Sequence, residues 1–84
     1  MPPPADDERP AWLAQQRLDI GRRIRDARLW ANLSQEQLAE RIGVERRTVV
    51  RIELGTTSPP LDRILWIARA LDVPPASLLP DAPP

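Results

Sequence analysis

The sequence predicts a single small all-α domain, and three observations favour that fold class. Its 84 residues suffice for one domain, and apolar residues recur at spacings of three, four or seven, as they do along amphipathic helices. No segment alternates apolar and polar residues as a half-buried strand would, and the chain has no Tyr, no Phe and only three glycines. The eleven prolines leave positions 11–58 uninterrupted, which allows long stretches of helix there.

The first predicted helix begins soon after Pro10 and runs to about Trp30. Proline suits the first turn of a helix, because the N–H that it lacks has no partner there. The helix is expected to end at Asn32, which tolerates the left-handed conformation that follows many helices. Its predicted buried stripe consists of Leu13, Ile20, Ile24 and Ala27.

A capping box predicts the start of a second helix at Ser34. The Ser34 hydroxyl is placed to accept from the backbone N–H of Gln37, whose side chain can reach back to the Ser34 N–H. We expect this helix to run through Ile42 and to stop at Gly43, because glycine readily takes a positive φ angle.

Three further helices are predicted. Helix 3 covers about residues 46–54 and stops at Gly55, and helix 4 covers residues 61–71. The Pro74–Pro75 pair breaks helix 4, and a short helix 5 near residues 76–79 closes the core. The predicted buried face of helix 4 consists of Leu61, Ile64, Leu65, Ala68 and Leu71.

The folded domain is predicted to span residues 11–79, between two tails. Residues 1–10 contain four prolines and three consecutive acids, a composition typical of a disordered segment. Residues 80–84, which read PDAPP, are predicted to be a C-terminal tail for the same reason.

Residues 35–54, QEQLAERIGVERRTVVRIEL, are typical of two short helices joined by a three-residue turn. Ala39 is small where the two helices would cross, and Gly43 suits a tight turn that needs a positive φ angle. The apolar residues that would hold the two helices together are Leu38, Ile42, Val44, Val49 and Ile52. These offsets together predict a helix-turn-helix.

The chain resembles the XRE family of helix-turn-helix proteins, which includes phage repressors and Cro proteins. The resemblance covers some sixty residues, from IGRRIRDARLWANLSQEQLAERIGVERRTVVRIELG, which begins at Ile20, to LDRILWIARALDVPPASLL. It implies a compact five-helix, lambda-repressor-like DNA-binding domain in which helix 3 enters the major groove. Glu45 and Pro60 differ from the family pattern, which usually has Ser or Thr at these two helix N-caps.

The resemblance also implies which residues would contact DNA. Three arginines on an arbitrary helix would indicate only a solvated face, but these positions match the family's base contacts, and arginine pairs well with guanine. The residues predicted to reach base edges are Arg46, Arg47, Arg51 and Thr48. The residues predicted to contact phosphates are Gln35, at the start of helix 2, and Thr56, Thr57 and Ser58, after helix 3. A surface glutamine and ordinary turn residues are the alternatives for these four positions.

The resemblance further implies an ion pair between Arg28, near the end of helix 1, and Glu53, near the end of helix 3. The pair would be mostly buried and would orient the recognition helix, so its role is structural.

Trp30 and Trp66 have no obvious place in the predicted core. Trp66 is out of phase with the apolar face of helix 4. Either Trp12 and Leu13 cover it, or it joins a dimer interface, where tryptophan is enriched.

Composition excludes several classes of function. The absence of Cys and His rules out disulfides, Ser-His-Asp and Cys-His catalysis, and the usual zinc sites. We therefore expect no enzymatic activity, no metal and no cofactor. No apolar run approaches the roughly 20 residues of a membrane span, and no signal peptide follows the start, so a cytoplasmic location is predicted.

The formal net charge is zero, but the charges are unevenly distributed. All twelve basic residues are arginines between Arg9 and Arg69, where twelve arginines against seven acids leave a net charge of +5. The other five acids lie outside that span. A basic middle of this kind favours a nucleic-acid partner.

The predicted function is therefore sequence-specific binding of double-stranded DNA by a transcription regulator, a repressor in our interpretation. We expect a homodimer on a near-palindromic operator. Two alternatives stay open. The chain could be an antitoxin that binds a toxin as well as its own promoter, or a protein-interaction module that has lost DNA binding, which zero net charge and Glu45 would favour.

Overall fold

The computed structural model describes residues 2–80 and contains no strand in that part of the chain, so the predicted all-α class is confirmed. Four α-helices and one 3-10 helix follow each other along the chain. They are α1 (Arg9–Trp30), α2 (Gln35–Ile42), α3 (Arg46–Glu53), α4 (Leu61–Leu71) and the C-terminal 3-10 helix (Pro75–Leu78). None of the helices within the described residues is long and apolar enough to span a membrane.

Residues 2–80 contain four α-helices, so the predicted count of five helices is not confirmed as a count of α-helices. The fifth predicted helix is a 3-10 helix of four residues, Pro75–Leu78, which still buries Leu78 against the core. Pro74 and Pro75 at its start separate it from α4, because a proline inside a helix removes a hydrogen bond and clashes with the preceding turn.

Helix α1 begins at Arg9, slightly earlier than predicted, and has Pro10 in its first turn. Asn32, just after its end, has the expected left-handed conformation with φ +59°. Leu13 was wrongly assigned to the buried stripe: it is half exposed, because the first turns of α1 extend past the rest of the domain and burial starts only at Gly21. The disorder predicted for residues 1–10 and the domain limits 11–79 stay predictions, and residues 81–84 of the predicted tail lie outside the described residues.

The start of α2 and the turn that follows it have the predicted local geometry. The Gln37 N–H donates to the Ser34 hydroxyl at 3.0 Å, and the Ser34 N–H donates to the Gln37 side-chain oxygen at 2.8 Å. The helix ends at Gly43, which has φ +72°. Three residues, 43–45, separate α2 from α3, so the helix-turn-helix is present as predicted.

One contiguous core forms between the helices. Leu38, Val49 and Ile52 lie inside it as expected, whereas Ile42 and Val44 are partly buried at its margin. Gly21 explains how closely α1 and α3 approach, because a methyl group there would collide with the carbonyl oxygens of Ile52 and Glu53. The fully assembled core consists of Ile24, Leu33, Leu38, Ala39, Val49, Ile52, Ile64, Ile67, Ala68, Leu71 and Leu78.

The predicted buried face of α4 was only partly correct. Leu61 and Leu65 are exposed, and Ile67, which the prediction omitted, is almost completely buried. The side of the helix that faces the core has the spacing i, i+3, i+4 and i+7 and consists of Ile64, Ile67, Ala68 and Leu71. Leu61 is the first residue of the helix and lies beyond the edge of that core, so the same spacing does not bury it.

A buried ion pair connects α1 to the end of α3. Arg28 and Glu53 are each 7% exposed, and two parallel hydrogen bonds join them: Arg28 Nε to Glu53 Oε2 at 2.7 Å, and Arg28 Nη2 to Glu53 Oε1 at 3.0 Å. Arg28 Nη1 also donates to the Leu33 carbonyl at 2.8 Å. Within residues 2–80 no buried side-chain nitrogen or oxygen lacks a partner. The pair therefore offsets the cost of its own burial with further hydrogen bonds.

Replacing Glu53 with Ala should strongly destabilise the domain, because Arg28 would remain as a buried charge without its counterion. We expect the free energy of unfolding to fall by about 3–5 kcal/mol, measured by urea denaturation. Glu40→Ala, at an exposed position of α2, is the matched control and should change it by less than about 0.5 kcal/mol. Equal stabilities of the two variants would contradict the structural role of the pair.

Candidate nucleic-acid interface

Helix α3 presents an arginine face to solvent. Val49 and Ile52 anchor one side of this eight-residue helix in the core. Arg47 and Arg51 lie four residues apart on the opposite side and are exposed, and Arg46 is exposed at its N-terminal edge. The structure thus places the three predicted base-contacting arginines on one accessible surface, which we call the arginine face.

A surface hollow of about 200 Å³ lies beside the C-terminal half of α3. Thr48 and Arg51, which were predicted to reach bases, lie there beside Thr57 and Ser58, which were predicted to contact phosphates. It also includes an arginine of α4 that sequence reasoning missed. The hollow is lined by Thr48, Arg51, Thr57, Ser58, Pro59 and Arg63.

The position of Arg63 in the sequence carried a signal that was not used. It lies in the first turn of α4, where the positive end of the helix dipole makes a cation unfavourable. An arginine at such an unfavourable position is a candidate for binding an anion outside the domain.

A second hollow lies at the N-terminal side of α3 and reaches the start of α2. Gln35 and Arg46 both line it, together with Ser34, Glu36 and the edge of Arg28. The Gln35 side chain donates from Nε2 to Glu53 Oε1 at 3.2 Å, so it points toward the buried pair rather than outward. The feature that remains available for an anion is therefore the N-terminus of α2, where the first N–H groups have no partner within the helix.

Thr56 does not join the other predicted phosphate contacts. Its hydroxyl donates to the Arg51 carbonyl at 3.2 Å, and its backbone N–H donates to the same oxygen at 3.1 Å. Thr56 thereby caps the last turn of α3, whereas Thr57 and Ser58 line the hollow beside Arg51.

Glu45 carries a carboxylate onto the arginine face. It is the N-cap residue of α3, but its side chain makes no capping hydrogen bond. The carboxylate instead pairs with Arg47, with 2.7 Å between Glu45 Oε2 and Arg47 Nε. Arg47, two residues along the chain, is thus the arginine that Glu45 reaches.

Helix α4 exposes a mixed apolar and charged surface. Trp66 is 59% exposed and Trp30, on α1, is 91% exposed. Trp66 lines a hollow of about 550 Å³, and neither Trp12 nor Leu13 belongs to its lining. The hollow is lined by Asp62, Leu65, Trp66, Arg69, Val73 and Pro75.

The chemistry of the arginine face is that of binding. Guanidinium groups donate hydrogen bonds to phosphate oxygens and to the O6 and N7 atoms of guanine. The described part of the chain holds no group of three potential metal ligands among His, Cys, Asp and Glu.

Comparison with known proteins supports the predicted resemblance. The family model for helix-turn-helix proteins matches residues 24–78. The chain is 40% identical over 60 residues to the transcriptional repressor RstR of the cryptic phage CTXphi of Vibrio cholerae. It is 41% identical over 64 residues to a helix-turn-helix-type transcriptional regulator, y4aM, of Sinorhizobium fredii.

These matches cover 71% and 76% of this chain, but only 54% and 45% of the two regulators, so the chain spans about half of their length. Among solved structures, the restriction-modification controller protein C.AhdI of Aeromonas hydrophila superposes with a TM-score of 0.76 and 36% identity. That superposition covers 79% of this chain and 96% of the controller protein. The chain belongs to the helix-turn-helix family of transcriptional regulators.

Proposed function

We propose that the chain is a sequence-specific, double-stranded-DNA-binding transcription regulator that inserts α3 into the major groove. The observation that carries the proposal is the arginine face of α3, with a surface hollow on each side. The similarity to a phage repressor and a restriction-modification controller supports a regulatory role, and repression is the outcome that we propose. Such a regulator would act in the cytoplasm, where the DNA is.

The size of α3 suits the groove. The major groove of B-DNA is about 12 Å wide, and it admits an α-helix whose diameter with side chains is about 10–12 Å. The eight residues of α3 form such a helix with one side exposed. Arg47 and Arg51 would then point at base edges, with Thr48 beside them. Arg46, at the edge of the face, is equally placed to reach a phosphate.

Two sets of groups would hold the DNA backbone on either side of α3. On one side lies the N-terminus of α2, which begins at Gln35 and faces the same hollow as Arg46. On the other side lie Thr57, Ser58 and Arg63. Contacts on both flanks would fix the orientation of α3, while its own arginines read the sequence.

We propose that a second copy of the chain packs against the α4 surface that contains Trp66. Asp62 and Arg69 are seven residues apart and flank Leu65 and Trp66 within one hollow. A two-fold axis through the middle of this surface would place Asp62 of each copy against Arg69 of the other. The antitoxin and protein-interaction alternatives stay predictions, because the same apolar surface suits a different protein partner.

Salt should weaken binding to DNA. The logarithm of the association constant should fall linearly with the logarithm of salt concentration, by about 0.9 for each phosphate neutralised. Arg46 and Arg63 are the arginines proposed to reach phosphates, and neither pairs with an acid within residues 2–80, so a slope of roughly −2 per subunit is expected. The slope can be measured by fluorescence anisotropy with a labelled duplex, at salt concentrations from about 50 to about 200 mM. Affinity that does not depend on salt would contradict the proposed function.

Arginines on the recognition helix should make the protein prefer guanine. Duplexes selected from a random pool should contain guanine in each half-site, with half-sites about 34 Å apart if a two-fold dimer binds successive major grooves. Arg47→Ala and Arg51→Ala should each cost about 1–3 kcal/mol of binding free energy on the selected site and much less on random DNA. Arg25→Ala, an exposed arginine of α1, is the control for charge alone. Equal losses on both kinds of DNA would show that these arginines only position the protein.

Charge reversal tests the α4 surface. Arg69→Asp should shift the sedimentation equilibrium toward monomer, because it places two acids against each other at each end of the interface. The double variant with Asp62→Arg should restore the dimer, whereas Trp30→Ala should leave it intact. A wild-type monomer, or a dimer unaffected by Arg69→Asp, would contradict the proposed dimer surface.

A further inference from the structure

The position of Glu45 is unusual for an acidic residue in a DNA-binding surface. Its backbone is extended, with φ −75° and ψ 151°, as expected at an N-cap. An N-cap side chain ordinarily accepts from a backbone N–H in the first turn of its helix, yet this carboxylate instead reaches Arg47 on the arginine face. Glu45 and Arg47 remain 71% and 70% exposed, so both face the space that DNA would occupy.

We infer that Glu45 is a specificity-determining residue: it lowers affinity for DNA of any sequence and holds Arg47 ready for guanine. The inference rests on the proposed DNA-binding function and assigns to Glu45 a role beyond it. Two physical effects support this inference. The first reduces binding to random DNA, and the second favours sites that contain guanine.

The first effect reduces binding to random DNA. Non-specific binding depends on phosphates that exchange their counterions for protein cations. A carboxylate at 2.7 Å from Arg47 Nε already neutralises that arginine, so Arg47 contributes little to this exchange. The carboxylate also repels nearby phosphates whatever the base sequence.

The second effect operates only where a guanine is present. The guanidinium group has five N–H donors in a rigid fork. When Nε faces Glu45, the Nη1 and Nη2 groups stay available for the O6 and N7 atoms of guanine. An arginine that is already held also loses less side-chain freedom on binding. Holding Arg47 therefore favours the specific site over random DNA.

The pair contributes little to the stability of the fold, because both side chains are largely exposed to water. Changing Glu45 should therefore alter recognition without unfolding the domain. This separates Glu45 from Glu53, whose removal is expected to destabilise the protein.

Glu45→Gln tests the inference, because it keeps the shape of the side chain and removes its charge. Affinity should be measured against two duplexes of equal length, one selected from a random pool and one of scrambled sequence. For the scrambled duplex, we expect affinity to rise roughly 3–10-fold and the salt slope to steepen by about 0.9, as one more arginine becomes free to neutralise a phosphate. The ratio of specific to non-specific affinity should fall at least about threefold.

Two controls show that Glu45 acts through Arg47. Glu40→Gln makes the same chemical change on the exposed side of α2, opposite Leu38 and Ala39, and should leave the affinity ratio and the salt slope unchanged. In an Arg47→Ala background, Glu45→Gln should no longer change the ratio, because the held arginine is gone. Thermal denaturation of every variant shows that the fold is retained.

The outcomes separate the inference from the proposed function. If the wild-type protein binds neither duplex, the proposed function is wrong and the inference falls with it. If the wild type discriminates between the duplexes, but Glu45→Gln shifts both affinities equally or leaves the slope unchanged, only the inference is overturned. A reduced ratio that persists in the Arg47→Ala background would overturn the link to Arg47.

Discussion

The buried pair of Arg28 and Glu53 is the interaction on which the geometry of this domain depends. It joins the last turn of α1 to the last residue of α3, and it extends to the Leu33 carbonyl before α2 and to Gln35 at the start of α2. Because these segments share one network of hydrogen bonds, the start of α2 cannot move away from the end of α3 without breaking a contact to a buried charge. Such pairs are weak evidence for stability as such, since their burial is costly. Here the network holds the end of α3 against the start of α2. This arrangement would determine whether the arginine face and the proposed phosphate site contact the same DNA.

Helix α3 is buried on one side and exposed on the other, and the exposed side is the one proposed to contact bases. The core holds this helix through Val49, Ile52 and Glu53. Its exposed side chains can therefore vary without loss of packing. The net charge of zero is compatible with this arrangement, because the electrostatics of a binding surface depend on local charges and not on their total. A modest local charge also limits attraction to DNA of any sequence, which leaves more of the discrimination to contacts with base edges.

Local interactions were predictable from the sequence, and the errors arose where long-range packing decides. The Ser34–Gln37 capping box, Gly43 and Asn32 depend on only a few neighbouring residues, and each has the expected geometry. Spacing alone could not distinguish a stripe that meets the core from one that extends past it, which explains the misplaced residues of α1 and α4. Two further features depend on contacts between helices: the close approach of Gly21 to the α3 carbonyls, and the inward direction of the Gln35 side chain. No local sequence pattern could predict them.

Helix α4 links the proposed DNA contacts to the proposed dimer surface. Neighbouring residues of a helix point about 100° apart, so Asp62 and Arg63 can serve different surfaces from a single turn. Arg63 lines the hollow beside α3 and Asp62 lines the larger hollow that contains Trp66. A further hollow beside the turn after α2 is lined by both residues, together with Trp66. The buried Ile64 and Ile67 anchor the helix in the core between these surfaces. Association of two copies through α4 would thus determine the distance between two recognition helices. A domain with few charges on each arginine face would then obtain its affinity from two such faces acting at a fixed spacing.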